Sequence, residues 1–310
     1  VSRINLESSP STETNRIKKN ISRIKRLRKV IKEYKPDVII SFMEEPNFRN
    51  LIATIGLPVK RIVSVRNDPA KEYAGKLGDL IAFHLMPKAD GCVFQTQDAC
   101  EYFPIKMQRK SKIICNAVKE DFYSVERKII DGKIINVGRL SSQKNQRILI
   151  EAFSRISNKY PNATLDIYGD GVLKEELNRQ IKDYGLSEKI KLKGNSSNIS
   201  QPLSQADIFV LSSDFEGMPN ALMEAMAVGI PCISTDCPCG GPKMLFDGEK
   251  NGILTPVGDV DKLSEALGSL LANKDKKLSL ASNAKIRANS FKPDEVYDEW
   301  KSYVEEVIKS

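Results

Sequence analysis

The chain predicts an α/β fold with parallel sheets, divided between two domains, and three observations carry that expectation. Short apolar runs alternate with helical patterns along the sequence, the order that layers helices on a parallel sheet. The 310 residues, 41% of them hydrophobic, are enough for two cores. Between two groups of runs lies Lys119 to Lys133, polar, charged and short of periodicity, which reads as a linker. The expected division is an N-terminal domain over 1–125, a second domain over 126–290 and a terminal helix over 291–310.

The elements follow in order. The first ten residues are polar and lack an apolar core, so no signal peptide is expected. Over 16–35, Ile17, Ile21, Ile24, Ile31 and Tyr34 recur at helical spacing with Lys and Arg between them. Two readings stay open for that basic helix. It faces an anionic membrane or a polyprenyl-phosphate acceptor, or it covers a sheet and leaves a solvated basic face; its packing is read as the second. Strands are expected at Val38–Phe42, Arg61–Val65, Cys92–Gln95 and Lys112–Cys115, then at Ile134–Val137, Thr164–Tyr168, Ile190–Leu192, Ile208–Leu211, Pro231–Ser234 and Gly252–Leu254. Pro293 to Ile308 reads as a helix carrying the single Trp, Trp300.

Composition sets limits on function. The net charge of +8 belongs to the N-terminal half, since residues 131–310 are slightly acidic. No segment reaches the ~18–20 uninterrupted apolar residues of a membrane span. The six Cys are not spaced like a secreted framework, which favours a reducing cytosol and a cytoplasmic protein, peripheral on the inner face of the membrane if the basic helix docks there. Cys232, Cys237 and Cys239 lack a fourth ligand for zinc, because the sole His is remote.

The run Asp214-Phe-Glu-Gly-Met-Pro-Asn-Ala-Leu-Met-Glu-Ala-Met-Ala227 holds the most chemistry. It follows the apolar Ile208-Phe-Val-Leu-Ser-Ser213, turns at Gly217-Met218-Pro219-Asn220 and continues in strong helix formers from Ala221. A strand, a Gly-containing turn and a helix start aim free amides at a phosphate. Glu216 lies in the turn and Glu224 one to two turns into the helix. Carboxylates beside an anion site suit hydroxyl groups rather than phosphate. A ligand with a diphosphate and sugar hydroxyls fits, and a nucleotide sugar has both. Ile134-Ile-Asn-Val-Gly-Arg139 makes the same case: a strand ends at Gly138, and Arg139 and Lys144 stand where two cations clamp a diphosphate.

With these residues quoted, a resemblance becomes specific. Gly138-Arg139-Leu140 with Lys144, Tyr168-Gly-Asp-Gly171, and Glu216 with Glu224 ahead of Gly229-Ile-Pro-Cys-Ile-Ser-Thr235 resemble the C-terminal half of a family 4 retaining glycosyltransferase of the GT-B fold. Ser64-Val-Arg-Asn-Asp-Pro69 and Thr235-Asp-Cys-Pro-Cys-Gly-Gly-Pro242 are similar to enzymes that build bacterial capsule, O-antigen or glycan-carrier saccharides. The resemblance implies two Rossmann-like domains facing a cleft, with the terminal helix crossing back to the first. It implies transfer of a hexose or N-acetylhexosamine from a UDP-sugar to a lipid-linked or saccharide acceptor, without a metal. Glu224 would hold ribose hydroxyls and Glu216 the donor sugar. The amides near Pro219 to Leu222, Asn220 and Ala221 among them, would meet the distal phosphate, Gly217 and Met218 would belong to the same donor-binding turn, and Arg139 and Lys144 would neutralise the leaving diphosphate. Gly169 and Gly171 would allow close backbone approach, and Gly194 and Asn195 would hold the base. Arg66 and Asn67 stand where the family often has a His, on the leaving-group or acceptor side. The family's N-terminal domain opens with a strand, a Gly-rich loop and a helix. This chain, which begins at Val1, shows none, so the N-terminal domain is expected to be truncated by ~30 residues or more.

Rival signals read differently. His84 lies in a helical run and reads as structural. Asp259-Val-Asp261 matches a metal-binding Asp-x-Asp pattern, but its context suggests a helix N-cap. Two other functions compete with transfer: a GT-B nucleotide-sugar epimerase, for which the Arg139, Lys144, Glu216 and Glu224 set lacks an acid/base pair, and a nucleotide-sugar-binding fragment. Nucleic-acid binding is not expected, because the basic residues lack interleaved aromatic platforms.

Overall fold

The computed structural model of the protein describes residues 16–310, with side chains from Lys18. The polar opening residues, and Ile17 of the basic helix, lie outside the described side chains. Contacts divide the chain into two units: residues up to Ile114 with Asp298–Ser310, and Cys115–Tyr297.

In the first unit, β1 (Val38–Phe42), β2 (Lys60–Ser64), β3 (Gly91–Phe94) and β4 (Ser111–Ile113) lie parallel in that order. Ile62, Val63, Val93 and Phe94 are fully buried, as continuous apolar strands covered on both faces require. At the end of the sheet β1 is more open, with Ile40 36% and Phe42 45% exposed. The basic helix, Arg16–Tyr34, packs on the helix Glu44–Ala53. Ile31 is buried, and Arg28 donates to the carbonyls of Ala53 (2.7 Å) and Ile55 (2.8 Å), a cation at a helix C-terminus. Lys18, Lys19, Lys25, Arg26, Lys29 and Lys32 face outward. The terminal helix, Pro293–Lys309, divides between the units at Tyr297 and Asp298. In the first unit its Tyr303 hydroxyl accepts from the Cys92 amide at 2.8 Å and donates to the Lys110 carbonyl.

The second unit holds β5 (Lys133–Val137), β6 (Thr164–Tyr168), β7 (Ile190–Gly194), β8 (Ile208–Leu211), β9 (Cys232–Thr235) and β10 (Ile253–Thr255). All pair in parallel, in the order β10-β9-β8-β5-β6-β7. Alternation along the strands supplies two cores. Ile134, Ile208, Val210 and Ile233 join Leu149, Phe153 and Leu267 on one face, while Ile135, Phe209, Leu211 and Cys232 join Leu222, Met226 and Phe246 on the other.

All ten expected strands are present, each within two residues of its expected ends. The segment read as a linker is different. Val118 and Phe122 are buried in the second unit's core, a short helix spans Asp121–Ser124, and Arg127 donates to the carbonyls of Gly229 and Ala206. The units therefore divide at Ile114 and Cys115 rather than at 125, because a polar segment can still be laid down by two apolar anchors.

Candidate active site

In the second unit the order of the strands reverses between β5 and β8, and crevices at the carboxyl ends of such strands are where open α/β sheets take ligands. Both chemical segments leave the sheet there. After β5 come Gly138, Arg139 and the short helical turn Ser142–Lys144; after β8 come Ser212 to Glu216 and the helix Asn220–Val228.

Polar bonds stitch the two exits together. Asp214 donates its amide to the Gln143 carbonyl at 2.8 Å, and Gln143 Nε2 donates to the Phe215 carbonyl at 3.0 Å. Asn145, in the left-handed region at φ 42°, donates Nδ2 to Asp214 Oδ1 at 2.7 Å, and Ser212 Oγ donates to the Lys144 carbonyl at 2.9 Å. The Lys144 stem lies over Gly138, and its ammonium pairs with Glu216 Oε1. That oxygen also accepts from Ser213 Oγ at 2.6 Å. Glu216 itself is only 6% exposed.

Glu224 sits on the second turn of its helix and makes no side-chain hydrogen bond or ion pair among the described residues. Burial pushes its carboxyl up to about 7, opposed by the positive charge of Lys119. The Arg139 guanidinium is exposed and carries no ion pair among the described residues. Met218 and Leu222 put their side chains in the core, the Leu222 amide turns back to the Pro219 carbonyl at 3.1 Å, and Pro219 has no N–H. The first-turn amides of Asn220 and Ala221 have no partner inside the helix. Gly217 is closely backed: a Cβ on Gly241 would stand 1.9 Å from the Gly217 carbonyl oxygen.

A cavity of about 700 Å³ opens at the ends of β5, β6 and β7, lined among others by Gly138, Arg139, Gly169, Gly171 and Asn195. Gly169 and Gly171 lie close against neighbouring backbone there. At φ 134°, a Cβ on Gly169 would lie 2.0 Å from the Gly138 oxygen, and one on Gly171 would lie 2.3 Å from the Leu140 oxygen. Beyond the strand ends, Gly138 donates to the Tyr168 carbonyl at 2.9 Å and Gly169 to the Gly194 carbonyl at 2.8 Å, so the cavity floor is a continuation of the sheet.

Arg66 and Asn67 follow β2 in the first unit. The Arg66 guanidinium stands 5.0 Å from the Phe42 ring centre and 5.4 Å from that of Trp300. His84 is exposed on a helical turn. Asp259 caps the helix Val260–Ala272, accepting from the Lys262 amide at 2.9 Å, and Asp261 pairs with Arg155. Among the described residues no three His, Cys, Asp or Glu side chains form a metal-binding group, and burial pushes the Cys237 thiol up to about 12. Ser213, Gln143, Asn145 and Thr235 are the members that sequence reasoning does not single out; their signal, small polar residues at strand exits, is too common to stand out.

The family model described as Glycosyl transferases group 1 matches residues 121–287. An uncharacterized glycosyltransferase of Methanocaldococcus jannaschii is 30% identical, with 94% of this chain and 84% of that protein covered. The N-acetylgalactosamine-N,N'-diacetylbacillosaminyl-diphospho-undecaprenol 4-alpha-N-acetylgalactosaminyltransferase of Campylobacter jejuni is 28% identical, over 82% of this chain and 72% of that enzyme. Among solved structures, Anabaena HepE in complex with UDP and glucose aligns with a TM-score of 0.80 at 20% identity, over 91% of this chain and 81% of that one. At that identity the likeness is one of fold. No helix among the described residues is long and apolar enough to cross a membrane.

Proposed function

Because the chain belongs to the glycosyl transferases group 1, it is a transferase, and we propose that it moves a hexose or N-acetylhexosamine from a UDP-sugar to a lipid-linked or saccharide acceptor in surface-polysaccharide synthesis, with retention of the anomeric configuration. The observation that carries this reading is the Lys144–Glu216 pair at the point where strand order reverses, with Arg139 on the exit from β5 and Glu224 on the helix that follows β8. Arg139, which has no ion pair among the described residues, and Lys144 supply positive charge for a diphosphate, joined by the amides of Asn220 and Ala221. Glu224, half-buried and without a hydrogen-bond or ion-pair partner among the described residues, is suited to the ribose hydroxyls, and Glu216 to the donor sugar. Gly194 and Asn195, at the end of β7, are assigned to the base, Asn195 lining the cavity. As the glycosidic bond breaks, charge develops on the departing phosphate, and Arg139 and Lys144 stabilise it there without a metal. Arg66 and Asn67 of the first unit are assigned to the acceptor side.

The diphospho-undecaprenol in the name of the Campylobacter relative, and the UDP and glucose bound in the HepE structure, support the choice of substrates. The outward Lys and Arg of the helix Arg16–Tyr34 suit an anionic membrane that carries such an acceptor. Sedimentation with vesicles containing phosphatidylglycerol tests this contact; binding that does not fall at high salt would oppose it.

The main test is calorimetry with UDP and with UDP-sugars, with and without EDTA. Glu224→Gln is expected to weaken both ligands and Glu216→Gln mainly the UDP-sugar. Equal losses in both variants, or binding abolished by EDTA, would contradict the assigned roles. The anomeric coupling of the product, read by NMR after transfer to a membrane-extract acceptor, tests retention.

A further inference from the structure

We infer that Ser213, braced by Thr235, is a positioning residue that reserves one oxygen of Glu216 for the protein and presents the other to the donor sugar. The inference rests on the reading of Glu216 given above. Glu216 sits in a turn with no regular element to orient its carboxylate, five residues beyond the end of β8. Its Oε1 takes both the Lys144 ammonium and the Ser213 hydroxyl, the latter at 2.6 Å. Its Oε2 makes no hydrogen bond among the described residues and is the oxygen left to accept from a ligand.

The two contacts on Oε1 are unlike each other. Lys144 is a flexible cation on an exit loop, and a diphosphate competes for it. Ser213 is neutral and fully buried, and no phosphate draws it away. Its backbone is fixed from the neighbouring strand, because Thr235 Oγ1, also fully buried at the end of β9, donates to the Ser213 carbonyl at 2.5 Å. When the donor binds and Lys144 turns toward the phosphates, Ser213 is the contact that holds Oε1, so the direction of Oε2 survives the change. Without it the carboxylate is free to rotate about its terminal torsion, which is broad and roughly two-fold. The less specific account is that Ser213 only satisfies a buried carboxylate. That role would lower stability and leave ligand preference alone.

The experiment measures dissociation constants for UDP, UDP-glucose and UDP-N-acetylglucosamine by calorimetry, with Tm alongside, on the full chain and on Ser213→Ala, Ser213→Thr, Thr235→Val and Glu216→Gln. Ser213→Ala is expected to weaken the better-bound UDP-sugar about tenfold while UDP stays within about twofold. Ser213→Thr, which keeps the hydroxyl, restores the preference, and Thr235→Val shifts it in the same direction as Ser213→Ala but less. Should Ser213→Ala fail to fold, the Thr235→Val and Ser213→Thr ratios decide. A Tm loss in Ser213→Ala with an unchanged UDP-sugar to UDP ratio overturns the inference if Glu216→Gln does change that ratio. A ratio unchanged in Glu216→Gln as well overturns the reading of Glu216 itself.

Discussion

Glu224 is where a single residue sets a measurable pH dependence. Its carboxyl, pushed up to about 7 by burial, is favoured protonated in the fold. The folded chain thus binds more protons than the unfolded chain between the ordinary carboxyl value and about 7. Its contribution to stability is full below about 4.5 and is lost as pH rises through about 7. Glu224→Gln is expected to remove that decline, leaving the variant more stable than the parent at pH 8 by on the order of 1–2 kcal/mol in urea unfolding. Binding carries the opposite sign. The ionised carboxylate accepts from hydroxyls, so affinity for uridine, which has no titrating phosphate, should rise between pH 6 and 8 in the parent and stay flat in Glu224→Gln. A flat profile in both proteins would remove Glu224 from the ribose site.

At the scale of elements, closeness of backbones decides more than side chains do. Gly169→Ala would set a Cβ 2.0 Å from the Gly138 carbonyl in a left-handed backbone region. The expected loss is about 2–4 kcal/mol, because the neighbouring atom is backbone and cannot give way. Thermal unfolding checks this; a Tm within a degree of the parent would show that β5 and β6 can part there. Gly241→Ala strikes the Gly217 carbonyl instead, so its expected cost is weaker UDP-sugar binding with a smaller change in Tm. These close approaches mark what sequence reading misses. Runs such as Ile134–Val137 and Ile208–Leu211 announce themselves through composition, and Glu216 and Glu224 through their flanking strand, turn and helix. Strand order does not, since no residue in β8 names β5 as its neighbour. Nor does the backbone that Gly169 lies against, which is the Gly138 carbonyl at the end of the neighbouring strand. Val118 and Phe122 anchor a segment whose charged neighbours make it look like a linker.

For the whole molecule, the two units predict an uneven response to ligand. Every residue assigned to the nucleotide lies in Cys115–Tyr297, so UDP should slow amide exchange at the ends of β5 to β8 and leave β1 to β4 unchanged. Protection spread evenly over both units would contradict that assignment. The outer strand of the first sheet has a consequence of another kind. β1 pairs with β2 on one side and with no strand on the other among the described residues, while Ile40 and Phe42 remain open to solvent. A parallel edge with apolar side chains and no charge within Val38–Phe42 is a template on which a second chain can add a strand. Concentrated protein should therefore self-associate through this edge. Ile40→Lys places a gatekeeping charge on it and is expected to lower light scattering on concentration, with UDP affinity unchanged; equal scattering from both proteins would clear β1 as the source.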